Sequence, residues 1–239
     1  MKSFIIVSCI VLLFSCQKTF KPTMTSGKGA ILGTIETRAH IDMIKKAKKE
    51  AENDGRDYSV NGKIIYSNEM VNYDKLDDIY VGLINSGLDT KSVVDIIVTE
   101  DGFEPRSLAI NTGDRIRFVN ATSNSLTFYA ANLNSDGVEE FAPLAADARS
   151  EITVSLEGLL EIAADERDDL ILTVLSRRSM RVRQVTSRET YLFNNLAPGD
   201  YRMVFWYWRL GMLEQPITVK AGEVTEVNEY LSVDRMFKD

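Results

Sequence analysis

From Tyr58 onward the chain is a succession of short apolar runs, rich in β-branched and aromatic residues and broken by Gly, Asn, Asp or Pro. The runs fall at residues 60–66, 79–84, 93–98, 126–130, 152–156, 170–175, 190–193, 201–208, 217–219 and 224–233. Strands this short and frequent, bounded by turn residues, fold into an antiparallel sandwich or a pair of them. Leu108 and Ile110 alternate before Asn111-Thr112-Gly113-Asp114, and Ile116 and Phe118 alternate after it, which predicts a hairpin. Hydrophobic residues make up 44% of the chain, enough to fill such a core.

The N-terminal part reads differently. Met1, Lys2 and Ser3 precede an apolar run at 4–14, too short for a bilayer span of ~20 residues but suited to a secretory signal. It ends in Leu13-Phe14-Ser15-Cys16, which resembles the lipobox of bacterial lipoproteins. The resemblance implies that residues 1–15 are removed and that Cys16 is acylated on its sulfur and its new amino group. Two or three acyl chains, at about 0.8 kcal/mol per buried CH₂, hold a protein firmly on a membrane. Gln17 in place of aspartate implies, on the same resemblance, the outer membrane with the protein facing the periplasm. Processing removes Cys9 and leaves a lipidated Cys16 as the single cysteine, so no disulfide is expected and the core alone must hold the fold. It also removes one of 28 basic residues and none of the 35 acidic ones, making the chain more negative than its full-length −7 and unsuited to nucleic acid.

Residues 16–30 read as the acylated cysteine and a flexible polar tether. Within 31–57, residues 36–53 place Ile41, Ile44, Ala47 and Ala51 at helical spacing before the stop Asp54-Gly55, predicting one N-terminal helix. Its lysines 45, 46, 48 and 49 wrap the circumference, as on a solvated face.

Gly102-Phe103-Glu104-Pro105, Leu108-Ala109-Ile110, Gly113-Asp114 and Phe118-Val119-Asn120 together resemble the first half of a cupredoxin. The order is similar to that of methylamine-utilisation-type periplasmic cupredoxin-like proteins. Residues 196–201 (LAPGDY) and 206–210 (WYWRL) resemble that family's L-P-x-G-x-Y and W-H-P-x-L elements. The resemblance implies an all-β fold: a leading β segment at 58–90, a cupredoxin-like antiparallel Greek-key sandwich at 91–187, and a small carboxypeptidase-regulatory-like β segment at 188–239.

A type 1 copper site needs two imidazoles, a thiolate and a weak axial thioether. The family's first histidine falls on Leu126, and its G-C-N-x-H-x-x-M loop falls on residues 163–170, placing Ala164, Arg167 and Leu170 at the cysteine, histidine and methionine positions. Tyr207 stands at the histidine of W-H-P. Every ligand of the pattern is missing, so the expectation is no metal and no cofactor. The single histidine, His40, reads as an exposed residue of the predicted helix.

Other chemistry is equally thin. Residues 132–140 alternate oxygen donors like a calcium loop, but Pro143 stands where a bidentate glutamate is required, so a surface turn is expected. Asp165, Glu166, Asp168 and Asp169 flank Arg167 and read as a solvated loop rather than an acid/base pair. No Gly-x-Ser-x-Gly and no histidine base support a nucleophile, and the chain is not expected to be an enzyme.

Two surfaces remain as candidate binding sites. Arg177, Arg178, Arg181, Arg183 and Arg188 gather in an acidic protein; they either meet lipid phosphates or an acidic partner, or keep an edge ribbon soluble. In residues 205–208 alternation puts Trp206 and Trp208 on one face, Phe205 and Tyr207 on the other. One pair fills the core; the other is a sugar-stacking or interface platform, or it too is packed. The expectation is a membrane-anchored, copper-free, non-enzymatic binding or assembly module of the cell envelope, with an envelope protein as partner; a glycan bound through Trp206, Tyr207 and Trp208 is the alternative.

Overall fold

The computed structural model describes residues 22–39, 59–60, 63–64, 73–85 and 91–236. The signal run, Cys16, His40 and the predicted helix from residue 40 onward lie outside the described residues. The regular structure among the described residues is almost entirely strand, arranged as two sandwiches that share a packed face.

The first sandwich spans the middle of the chain. One sheet holds β5 (Val93–Thr99), β6 (Gly102–Glu104), β8 (Arg115–Asn120) and β11 (Arg149–Thr153) in the order β11-β8-β5-β6. The other holds β7 (Ser107–Asn111), β9 (Phe128–Asn132), β10 (Val138–Glu140), β12 (Gly158–Ala164) and β13 (Arg167–Arg177) in the order β10-β9-β12-β13-β7. Period-two alternation builds its core: Ile116, Phe118 and Asn120 point inward from β8, while Arg115 and Arg117 point out to Asp95 and Glu151.

The hairpin expected at 111–114 does not form. β7 pairs with β13 and β8 with β5, each in parallel, so the turn carries the chain from one sheet to the other. Both flanking strands are apolar toward the same core, and alternation cannot tell a partner beside a strand from one across the core. The Asp114 carboxylate holds the crossover, accepting the backbone N–H groups of Ser92 (2.8 Å) and Asn111 (3.0 Å).

The second sandwich is assembled from distant pieces. Its outer sheet runs β15 (Thr190–Leu196), β1 (Gly29–Thr37), β18 (Val224–Glu226), with β19 (Glu229–Leu231) also on β1. Its inner sheet runs β14 (Met180–Val185), β4 (Ile79–Ile84), β16 (Gly199–Tyr207), β17 (Gly211–Val219). Strands β2 (Ser59–Val60) and β3 (Lys63–Ile64) pair with each other, and a short helix α1 (Val233–Met236) follows β19. The segments read as 58–90 and 188–239 thus enter one body, and β14 leaves the sandwich bounded at 187 to join them. Among the described residues four pairings are parallel (β1 with β18 and β19, β5 with β8, β7 with β13) and the others are antiparallel.

The central strands of the inner sheet, β4 and the second half of β16, are buried on both faces. Val81, Leu83, Met203, Phe205 and Tyr207 face the outer sheet. Tyr80, Val204, Trp206 and Met180 face the first sandwich, where they meet Ala109 and Leu175. Two-sided burial explains why 79–84 and 203–208 read as continuous apolar runs rather than alternating ones.

The N-terminal expectations shift. β1 begins at Gly29 and runs through Thr37, so the tether ends before residue 30 and a helix cannot start at 36. Ile31, Gly33, Ile35 and Thr37 alternate inward with period two, which outweighs the helical spacing that follows. Gly33 is a close approach: a Cβ there would stand 1.7 Å from the carbonyl oxygen of Val227.

Burial pushes the Tyr80 and Tyr191 phenols well above their usual range; each donates a 2.6 Å hydrogen bond, to the carbonyls of Ser107 and Val227. The folded chain therefore keeps protons that the unfolded chain releases near pH 10.0. Stability present below that pH is lost as pH rises past it, so the urea midpoint should drop between about pH 9 and about pH 11. Tyr80→Phe should show a shallower drop over the same interval; an unchanged pH slope in this variant would deny Tyr80 its part.

Candidate functional site

One end of the first sandwich gathers the residues that the cupredoxin pattern marks. Leu126 forms an isolated bridge with Leu144, and the backbone N–H of Asp165 donates to the Thr127 carbonyl, so the 126–127 segment meets the β12–β13 turn. Leu126, Ala164 and Leu170 are all buried there, 1%, 2% and 0% exposed. They share a core with Phe103, Phe118 and Phe128, the last two stacked at 4.7 Å. Three of the four positions are thus filled by hydrocarbon, which offers no lone pair to a metal. The fourth, Arg167, opens β13 and turns outward. Tyr207 belongs to the second sandwich's core, 7% exposed and with its phenol raised by burial, so it does not join the other four.

Ion pairs tie the loops at this end. Arg167 donates to both Asp169 oxygens at 2.7 Å, to the Glu100 carboxylate at 2.9 Å and to the Glu100 carbonyl at 3.0 Å. Glu100 also accepts the backbone N–H and hydroxyl of Ser123, which hold its carboxyl below the usual range, with Arg167 adding to the effect. Glu166 accepts the backbone N–H and hydroxyl of Thr127 and is lowered in the same way. Asp169 is lowered chiefly by its hydrogen bonds from Arg167. The acidic group expected as a loop instead spans the turn at 165–166 and the start of β13, and Glu166 and Asp169 go to separate partners, Thr127 and Arg167, an arrangement unlike an acid/base pair. Among the described residues no group of three or more His, Cys, Asp or Glu side chains is placed to hold a metal.

Beneath the ion pairs lies Asn120, fully buried at the end of β8. Its Nδ2 donates to the carbonyls of Asn124 (2.8 Å), Leu144 (3.1 Å) and Ala145 (3.1 Å), and its Oδ1 accepts the N–H and hydroxyl of Thr122. Sequence reading saw Asn120 as the end of a strand and missed its role as the hub of two loops. The polar triplet Thr122-Ser123-Asn124 just after it was the available signal.

The tryptophan face does not form as a platform. Trp206 is 2% exposed, packed between the sandwiches with the Tyr80 ring 5.6 Å away. Tyr207 faces the opposite core, and Trp208 is half-buried against both cores with the Arg209 guanidinium 4.3 Å over its ring. Alternation separates Trp206 from Phe205 and Tyr207, while Trp208, past the end of β16, meets both cores; with a core on each side of the strand, neither face of Trp206 or Tyr207 can stack on a sugar.

The arginines are likewise dispersed. Arg177 pairs with Glu214 at 3.2 Å and Arg178 with Glu157 at 3.1 Å, both at one end of β14. Arg188, at the other end, lies 3.6 Å from Glu36. Arg181 and Arg183 sit on β14 itself, the edge strand of its sheet, with Arg183 5.9 Å from the Phe193 ring centre. Charge on an edge strand discourages pairing with another chain. In the 132–140 segment, Asn132 spends its carboxamide on the Glu157 carbonyl (2.8 Å) and the Asn134 N–H (2.8 Å), as in a surface turn.

No protein-family model matches the chain, and no curated protein matches it. Solved structures similar to part of it include a reduced amicyanin mutant, 9% identical, TM-score 0.31, covering 36% of this chain and 82% of amicyanin. A second amicyanin mutant, in its reduced Cu(I) form at pH 4, is 8% identical with TM-score 0.32, covering 40% and 91%. A novel purple cupredoxin from Nitrosopumilus maritimus is 19% identical with TM-score 0.30, covering 35% and 98%.

Proposed function

We propose that this chain is a lipid-anchored envelope protein in which a cupredoxin-like sandwich, without copper, serves as a non-enzymatic binding or assembly module. The observation that carries the reading is the filling of the four marked positions: Leu126, Ala164 and Leu170 in the core, Arg167 in an ion-pair cluster. A sandwich end whose loops are tied by arginine and asparagine is held in shape without an ion, and it retains a fixed surface with no reacting group. The anchor rests on Leu13-Phe14-Ser15-Cys16. Burial of Trp206 and Tyr207 removes the support for the glycan alternative.

The test is copper titration of the chain without its lipid. The solution should stay colourless with excess Cu²⁺, show no reversible redox wave, and keep its melting temperature, because a ligand that does not bind the native state adds no stability. Weak adsorption should vanish in His40→Ala. A stoichiometric blue or redox-active species surviving that substitution would overturn the reading. Crosslinked pull-down from the envelope, against a Cys16→Ala control, then asks whether the anchored form recovers a protein partner that the control does not.

A further inference from the structure

We propose that the protein stands end-on at the bilayer, with the turns at 25–28, 195–199 and 220–223 against the lipid headgroups and the end carrying Leu126 and Arg167 farthest from the membrane. This rests on the anchoring reading for Cys16, and it specifies the lipid-facing surface that the reading leaves open.

The first observation is how far the chain is fixed toward its N-terminus. Pro22 is buried, the Thr25 N–H donates to Asn195 Oδ1 at 2.8 Å, and the Gly222 N–H donates to the Lys28 carbonyl at 2.8 Å. Only residues 17–21 separate Cys16 from this fixed part. Six steps of at most ~3.6 Å reach about 22 Å, so a lipid on Cys16 keeps this end of the second sandwich beside the headgroups.

Register then orients the rest. Asn85, just after β4, donates its N–H to the Ser179 carbonyl and its Nδ2 to the Asp200 carbonyl, which puts the end of β4 and the start of β14 at the tether end. The Met180 N–H donates to Asn111 Oδ1, and the Thr112 N–H to the Arg177 carbonyl, so β7 and β13 also finish there. Both sandwiches therefore run the same way from the bilayer. β13 has 11 residues between Arg167 and Arg177, about 35 Å at ~3.3 Å each, which carries Arg167 and its loops out to the far end.

Charge favours standing over lying. At the tether end Arg178 and Lys220 pair with Glu157 and Glu223, while Lys28 and Arg181 make no ion pair among the described residues; on the outward face of the β15-β1-β18 sheet Glu36 is paired with Arg38 and Arg188, and Glu226 is exposed. The first pose offers headgroup phosphates the unpaired cations Lys28 and Arg181, and the second offers them the exposed carboxylate of Glu226 beside arginines already held by Glu36.

The test separates orientation from acylation. The chain beginning at Cys16 is coupled through that thiol to a maleimide-headgroup lipid in phosphatidylethanolamine/phosphatidylglycerol vesicles, with a fluorescent amino acid incorporated genetically at Ala221 or, in a second protein, at Ala121. Both alanines are exposed, one at the tether end and one in the loops after Asn120. A headgroup-nitroxide lipid should quench most of the emission at 221 and leave that at 121 unchanged. Equal quenching at both sites, or stronger quenching at 121, overturns the proposal. Mass measurement of the protein from cells decides acylation independently, since the coupled lipid gives the orientation whether or not cells attach their own.

Discussion

Trp206→Ala should cost about 3–5 kcal/mol, the usual range for removing a large aromatic from a packed core, and should lower the urea midpoint accordingly. Trp206 is almost fully buried and lies against Tyr80 in the cluster where the two sandwiches meet. Its removal leaves a cavity between two sandwiches that stay joined through the Tyr80–Ser107 and Met180–Asn111 hydrogen bonds and the Arg177–Glu214 ion pair, so the loss should appear as a lowered midpoint. Trp208→Ala should cost much less, because Trp208 is half-buried and shielded by Arg209. Equal losses in the two variants would mean that the shared face is not packed around Trp206.

Asn120→Asp should be nearly as damaging, although it exchanges one atom. The amide nitrogen facing three carbonyl oxygens becomes a carboxylate oxygen, with no donor left for any of them and a buried charge facing their negative ends. An uncompensated buried charge costs about 3–5 kcal/mol. Burial holds such a carboxyl protonated longer in the folded chain than in the unfolded one. The variant should therefore be closest to the parent below about pH 4, where the carboxyl is neutral in both states, and fall behind as pH rises. Chemical denaturation at about pH 3.5 and at pH 7, each against the parent, reads this directly; a deficit independent of pH would place the cost in lost hydrogen bonds alone.

Much of the candidate site was legible before any coordinates. The cupredoxin-like spacing singled out Leu126, Ala164, Arg167 and Leu170, and these do gather at one end of one sandwich. Three of them are apolar in the sequence and lie in the core, and Arg167 is charged and lies in the ion pairs with Glu100 and Asp169. Asn120 as a hub, and Glu100 reaching Arg167 across 67 positions, were not legible, because each depends on loops brought together by folding. Trp206 was separated from Phe205 and Tyr207 as their strand has it, yet read as a surface, because periodicity separates two faces without saying what lies beyond either; Trp208 lies past the strand and meets both cores.

Strand identity after Tyr58 was largely a property of the sequence alone, β1 being read instead as tether and helix: short β-branched runs with turn residues between them leave a chain few other ways to bury apolar area and pair its backbone. Pairing was a property of the tertiary structure. β1, β4 and β14 to β19 lie far apart in the chain and close into one body because each has an apolar face that its sequence neighbours cannot cover. The two-sided burial of β4 and β16 and the burial of Trp206 follow from that closure. A side chain's alternation is local and written in order; its covering layer arrives from elsewhere in the chain, and only packing decides which layer that is.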